Sequence, residues 1–483
     1  MVLAVVILYT EAGAFSFSAL GKAMASLSQS KPALLHLVLG LFLIGFGTKA
    51  GMLPFGDWLP DAYPAAPSAA SAAFAGSMTK LGIYGIIRVF CQMLPVSHFS
   101  FVWGGVIALF GTISIFVGTL TALAQDDSKR LLSFHVIGQI GYMLLGIGLG
   151  IYFLPVSQAL AVVGMIAGTF HLINNVCYKS CLFLNAGAVL YRTGTRDLHL
   201  VGGLAHVMPL TATTALIASL SIAGVPPFSG FSSKWMIFQA SAVGGIDAPL
   251  FMVFAIIAIF ISIATLASFL KFLGTAFFGR LHVPEEGAVQ SDVPASMKIP
   301  QVALAVLCVL FGIAPVLALR GIYPAISAVL PPGYAPSASA LFGTSPLGVT
   351  LNLGEGATGA WYPLVLVAGL LGGLVVAHLL YHSAGARARL TEVWYCGELH
   401  ADEEARYRAH SYYVPFKEFL QVRIGAHRTS GVYPKLPIPR VGQPTALRRA
   451  LDLDAWLYYP LVRWGGRMLD RFSRTHVGIP QVY

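Results

Sequence analysis

The chain has 483 residues, 56% hydrophobic and only 10% charged, with a mean hydropathy of +0.74. A soluble domain carries roughly 25% charged residues, so the composition excludes a water-soluble globular fold and predicts an all-α, polytopic bundle of transmembrane helices. The net charge of +10 is uneven, with half of the 30 Lys and Arg after residue 386. In so apolar a chain this is a mark of membrane topology, not of nucleic-acid binding.

About 20 apolar residues cross a hydrocarbon core. In chain order, spans are predicted at about 1–12, 33–53, 66–93, 99–124, 131–153, 157–191, 206–243, 247–278, 300–320 and 359–382. The first is short and has no basic residue before it, which argues against a secretory signal peptide. The second runs into FLIGFGTKAGMLPFGDWLP, where Lys49 lies beside glycines and Pro54. An ammonium at membrane depth is costly and usually serves ion or proton movement; Gly and Pro beside it break the helix and expose polar backbone.

Lys80 comes next, in SMTKLGIYGIIR, and Lys129 in the loop AQDDSKRLL, where by composition alone it reads as an ordinary topology charge. His135 lies in LLSFHVIGQIGYM, and His171 and Lys179 in FHLINNVCYKSCLFL. Snorkelling or a single satisfied hydrogen bond is the bland reading of Lys80, Lys179 and the imidazoles. SIAGVPPFSGFSSKWMIFQA repeats the broken-helix pattern, with Pro226, Pro227 and Gly230 before Lys234. Two such elements suggest a repeated transport unit, expected as inverted repeats. A desolvated lysine releases its proton more readily than one in water, histidine needs little tuning to do so, and such groups joined by water make a proton relay.

Residues 1–385 form the membrane domain and 386–483 a basic segment, extrinsic or interfacial, in which GELHADEEARYRAH cannot sit in lipid. LDLDAWLYYPLVRWGGRMLDRF has the mixture of an interfacial helix or of a helix packed on a partner. Alternating the spans puts Lys129, Arg130, Arg192, Arg196, Arg280, Lys298 and the tail on one side, cytoplasmic by the positive-inside rule; Lys22 and Lys31 are exceptions. The five cysteines make no disulfide framework, and a metal site of His171, Cys177 and Cys181 lacks a fourth ligand. No phosphate loop, iron–sulfur cluster motif or nucleophile elbow is present, so no redox centre or cofactor is expected in this chain.

Four ordered blocks carry a family resemblance: GTKAGMLPFGDWLPDAYPAAPSAASAAFAGSMTKLGIYGIIRVF, DDSKRLLSFHVIGQIGYMLLGIG, FHLINNVCYKSCLFLNAGAVLY and SIAGVPPFSGFSSKWMIF. They resemble the antiporter-like proton-conducting membrane subunits of respiratory complex I, Mrp cation/proton antiporters and membrane-bound hydrogenases. The resemblance makes Lys49 the proton-carrying lysine of the first broken helix, Lys80 the polar residue of the next, Lys129 a connecting lysine, His171 a channel histidine and Lys234 the ionisable residue of the second broken helix. Where the family commonly has a second histidine one turn after the first, this chain has Asn175, which carries no proton at neutral pH. The acidic partner of Lys49 belongs to a helix upstream of those present, and Glu11 is not assigned to it, so the chain is expected to be a fragment or split product.

The tail stretch LTEVWYCGELHADEEARYRAHSYYVPFKEFL resembles the large membrane subunit of hydrogenase-4 and formate-hydrogenlyase complexes. Together the two resemblances imply a proton-translocating subunit of the inner membrane, with other membrane subunits and peripheral redox subunits as partners, iron–sulfur and nickel or flavin residing only in the latter. An Mrp-type antiporter subunit and a non-conducting membrane scaffold are the alternatives.

Overall fold

Prolines set where many helices start. A pyrrolidine ring fits the first helical position but pushes the residue before it out of the helical region. Lys31, Met208, Ala248, Ala314 and Tyr362 all take this non-helical conformation, and a helix begins at the proline after each. In the computed structural model, which describes residues 1–284, 291–345, 348–354, 356–385 and isolated positions beyond, the chain divides into Met1–Tyr412 and Tyr413–Tyr483. In the second unit only Tyr413 and five positions between 460 and 467 are described, the latter helical. Most of the predicted extrinsic segment, Cys396 included, lies outside the described residues, and of its predicted interfacial helix only those five positions are described.

The first unit runs α1 (Val2–Ala12), α2 (Phe17–Ser30), α3 (Pro32–Ala50), α4 (Leu59–Ala65), α5 (Ser68–Ala73) and α6 (Thr79–Ile87). A π-helical turn, Phe74–Met78, joins α5 to α6, and a second, Arg88–Met93, ends α6. Then come α7 (His98–Ala124), α8 (Ser128–Phe153), α9 (Gln158–Thr193), α10 (Pro209–Ala223), α11 (Ser229–Asp247), α12 (Pro249–Ala276), α13 (Ala295–Ile313), α14 (Pro315–Val329) and the single turn α15 (Ala338–Leu341). Strands β1 (Phe342–Ser345), β2 (Gly348–Gly354) and β3 (Ala357–Trp361) precede α16 (Pro363–Ser383). Among the described residues seven helices are long and apolar enough to cross a membrane, eight if α1 and α2, bent by 81°, count as one span.

The centre is α8, buried along nearly its whole length between α7 and α9. Small residues let these helices meet backbone to backbone, the usual packing device inside a membrane. Gly104, Gly111 and Gly118 recur every seven residues on α7; a methyl group at Gly141 of α8 would come within 2.3 Å of the Gly111 carbonyl oxygen. The other face of α8 meets Gly164 and Gly168 of α9 in the same way.

Most predicted spans coincide with helices, and four places differ. The amphipathic α2 falls between predicted spans; it is capped by the Ser16 hydroxyl, which accepts from Ala19 N–H at 3.2 Å, and buries Leu20, Ala23, Met24 and Leu27 on one face. The span read at 206–243 is two helices, α10 and α11, on either side of Gly224–Phe228. The span read at 300–320 breaks at Ala314, because Pro315 starts a new helix. The start of the 359–382 span belongs instead to β3. That antiparallel sheet, order β1-β2-β3, pairs Phe342 with Leu351 and Val349 with Trp361, and β2 buries alternate residues Val349, Leu351 and Leu353.

The loops at or beside Lys129, Arg130, Arg196 and Arg280 meet at one end of the bundle. Asp127 pairs with Asp197 and Gly202 with His282 in isolated bridges, and Arg196 reaches Asp127 at 3.2 Å. Of the exceptions, Lys31 is neutralised by Glu11 at 2.8 Å, so Glu11 has a partner other than Lys49.

Candidate functional site

A buried lysine needs acceptors, and the last carbonyls of a helix have no partner within it. A helix break inside the bundle therefore supplies what an ammonium requires, with the added pull of about half a negative charge at the helix C-terminus. Lys234 shows the pairing. Gly224 (φ 80) ends α10, five residues turn the chain, and α11 carries Lys234 back so that its Nζ donates to Ile222 O at 2.9 Å, Ala223 O at 3.4 Å and Ser262 Oγ at 3.0 Å. The ammonium also lies 4.6 Å from the centre of the Tyr142 ring, a cation–π contact that is strongest away from water. Gly230 lets the two half-helices touch: a Cβ there would sit 1.8 Å from Ser221 O.

The same logic seats other buried lysines. Lys80 Nζ donates to Ala75 O, five residues back in the π-helical turn. Lys129 donates to Ala66 O at 2.8 Å, the residue that closes α4. Lys271 of α12 donates to Leu123 O at 2.9 Å and to Gln125 O at the end of α7, with Asp126 Oδ1 at 3.4 Å. Lys179 donates to Leu132 O of α8 at 2.7 Å. Among the described residues none of Lys80, Lys129, Lys179 and Lys234 has a carboxylate within ion-pair distance, so backbone dipoles carry most of the compensation for several kcal/mol of desolvation apiece.

Around His171 these side chains form a line. Lys80 Nζ donates to Asn175 Oδ1 at 2.6 Å, and Asn175 Nδ2 donates to the Tyr178 hydroxyl at 3.3 Å. That hydroxyl is 3.3 Å from both His171 Nε2 and Gln139 Oε1, and Gln139 Oε1 is 3.1 Å from His171 Nε2. His171 Nδ1 meets Ser233 Oγ at 2.9 Å, and the residue after Ser233 is Lys234. The Tyr142 ring lies between, 5.4 Å from the His171 ring. Four elements thus bring Lys80, Asn175, Tyr178, His171, Gln139, Ser233 and Lys234 together in a core that is buried throughout.

Lys129, Lys179 and His135 are buried but outside that hydrogen-bonded line. His135 Nε2 meets Ser268 Oγ at 2.8 Å, one turn of α12 before Lys271. Lys49 departs from its expected burial: it is exposed in the last turn of α3 and has no hydrogen-bond or ion-pair partner among the described residues. Its helix end offers no seat, because Gly47 O accepts from Gly51 and Met52 N–H and Thr48 O accepts from the Trp58 indole at 2.9 Å. Pro54 lies in the turn after α3, and Pro226 and Pro227 in the turn after α10. Sequence reasoning missed Tyr178, Gln139, Ser233 and Lys271. Tyr178 sits seven residues after His171, two turns along the same face, and Lys271 is a lone lysine in an apolar 28-residue helix; both signals were available.

The considered metal set does not assemble: His171 is engaged by Ser233 and Gln139, and Cys181 by Asn185 Oδ1 at 3.5 Å. Among the described residues no group of three or more His, Cys, Asp or Glu converges.

Interrupted helices with ionisable side chains seated on their free carbonyls define a class: polytopic α-helical membrane proteins with a polar core. Residues 1–262 match the model of the family described as "NADH:quinone oxidoreductase/Mrp antiporter, TM", and the chain belongs to that family. It is 36% identical over 319 residues to hydrogenase-4 component B of Escherichia coli, covering 65% of this chain and 47% of that protein. Formate hydrogenlyase subunit 3 of the same organism is 30% identical over 387 residues, covering 78% and 59%. Na(+)/H(+) antiporter subunit A1 of Staphylococcus haemolyticus is 34% identical over 388 residues, covering 77% and 46%. The chain thus spans about half the length of the curated relatives it matches. Among solved structures, a chain of the archaeal membrane-bound sulfane sulfur reductase superimposes with a TM-score of 0.76 at 27% identity, covering 100% of this chain and 72% of that one. The Mrp complex of a Dietzia species gives 0.59 at 26% identity, covering 69% and 66%.

Proposed function

We propose that this chain is the proton-translocating membrane subunit of a complex I-like or energy-converting hydrogenase assembly, in which partner subunits carry out electron transfer. The observation that carries the reading is the unbroken run of buried polar contacts from Lys80 through Asn175, Tyr178 and His171 to Ser233, beside Lys234. Lys234 is the carrier: protonated, it holds the carbonyls at the end of α10; neutral, it no longer compensates them, so the half-helices have reason to shift and admit water from one side. Lys80 and His171 load and unload it, while Lys129, Lys179 and Lys49 serve proton entry or transfer to neighbouring subunits. The setting is an inner membrane, with the basic C-terminal segment on the cytoplasmic face and iron–sulfur, nickel or flavin groups held by peripheral redox partners. Similarity to hydrogenase-4 component B and formate hydrogenlyase subunit 3 supports redox coupling.

Similarity to Na(+)/H(+) antiporter subunits supports a second reading, cation/proton exchange without a redox partner. Sealed membrane vesicles containing the intact complex separate the two with a pH-sensitive dye. Redox substrate should produce a pH difference that an uncoupler collapses. Electron transfer with no pH change, or proton movement driven by a sodium gradient alone, would overturn the redox-coupled reading.

A further inference from the structure

We propose that the Tyr178 hydroxyl hands protons to His171 and so bridges the gap that Asn175 leaves in the line. The inference rests on reading this site as a proton path.

Lys80 sets the hydrogen-bond directions at Asn175, and the His171 tautomer sets those beyond it. Lys80 only donates, so the Asn175 oxygen faces it and the Asn175 NH₂ faces Tyr178. The phenol oxygen thus accepts from Asn175, and its proton points to His171 Nε2 or Gln139 Oε1, each at 3.3 Å. In the tautomer that leaves the Ser233 hydroxyl proton on Gly230 O, 3.2 Å away, Ser233 Oγ accepts from His171 Nδ1–H. Nε2 is then the acceptor of the ring, and of its two neighbours, Gln139 Oε1 at 3.1 Å and the Tyr178 hydroxyl at 3.3 Å, only the hydroxyl has a proton to give. An amide accepts and donates hydrogen bonds but carries no net proton at neutral pH; a hydroxyl gains one proton as it loses another. Gln139 Nε2, beside the same hydroxyl, is buried with no hydrogen-bond partner among the described residues. With the Asn175 amide and the Tyr178 hydroxyl nearby, this group is a place where a bound water would find polar partners.

The transfer balances without a charged tyrosine. The Lys80 ammonium gives a proton to a water molecule beside Asn175, breaking one N–H bond. That water gives a proton to the Tyr178 oxygen as the Tyr178 O–H proton moves to His171 Nε2. Water and Tyr178 end neutral, Lys80 ends as a neutral amine and His171 as an imidazolium beside Ser233 and Lys234.

Tyr178→Phe keeps the ring and removes only the hydroxyl. In vesicles with the intact complex it should reduce proton translocation at least ten-fold while the complex assembles normally. Asn175 lies between Lys80 and Tyr178, so an imidazole there would reach toward both sides. The double variant Asn175→His with Tyr178→Phe should therefore recover most of the lost translocation, which a purely structural tyrosine would not allow. Wild-type translocation in Tyr178→Phe, or a double variant as impaired as the single, would overturn the inference. Lys234→Met measured alongside distinguishes the two levels: if it too translocates normally, the reading of the site as a proton path fails, and if it alone is inactive, only the role of Tyr178 fails.

Discussion

Substituting Gly230 with alanine sets two effects of opposite sign against each other. Alanine in a helix is normally worth about 0.8–1 kcal/mol over glycine. Here its Cβ would lie 1.8 Å from Ser221 O, against 3.4–4 Å for ordinary contact, and the obstacle is backbone. α11 must retreat from α10 by more than an ångström, which takes Lys234 Nζ out of hydrogen-bond range of Ile222 O, now 2.9 Å away, and parts Gly230 N–H from Ser221 Oγ at 3.3 Å. Overpacking costs about 1–3 kcal/mol and a charge-assisted hydrogen bond about 1.5–3 kcal/mol. Less the helical gain, Gly230→Ala should lose about 2–5 kcal/mol and translocate protons poorly. Denaturation of the purified protein in mixed micelles reads the first, and a pH dye in vesicles the second. An alanine variant at least as stable as wild type, with normal translocation, would refute the claim that close contact of the half-helices seats Lys234.

Gly312→Ala should act in the same direction, since its Cβ would come 2.0 Å from Pro227 O in the turn between the half-helices; the same denaturation series checks it. Ser262→Ala removes one of three acceptors of the Lys234 ammonium and leaves both carbonyls, so translocation should fall only a few-fold, measured as the initial rate of the dye signal. Lys271→Met should destabilise by about 1–3 kcal/mol, because the end of α7 loses its ammonium while partly exposed Asp126 remains hydrated; micellar denaturation decides. Glu11→Gln breaks an exposed pair with Lys31 and should change stability by at most about 1 kcal/mol, a control on the same scale.

The apolar runs made the bundle legible, because a membrane leaves each span little choice but helix. The break at Lys234 was legible too: Pro226, Pro227 and Gly230 stand where α10 ends and α11 begins. Lys49 sits in a sequence just as rich in Gly and Pro, yet it is exposed. What separates the two lysines is which carbonyls are already taken: by Trp58 in one case and, among the described residues, by the ammonium and Ser262 in the other. That depends on distant residues folding back, which no local pattern encodes. The sheet escaped notice because β1 and β3 are four and five residues long with little alternation. Tyr178 escaped because an aromatic residue on an apolar helix reads as packing until its hydroxyl is seen beside His171.

The central claim is that protons cross the bundle by way of Lys234. Its most direct test is the number of protons moved per electron pair in vesicles carrying the intact complex with Lys234→Met. The methionine keeps the bulk of the side chain and removes a costly buried charge, so assembly should survive. Electron transfer to a soluble acceptor should continue while the proton count falls toward zero. An unchanged ratio of protons to electrons would contradict the account.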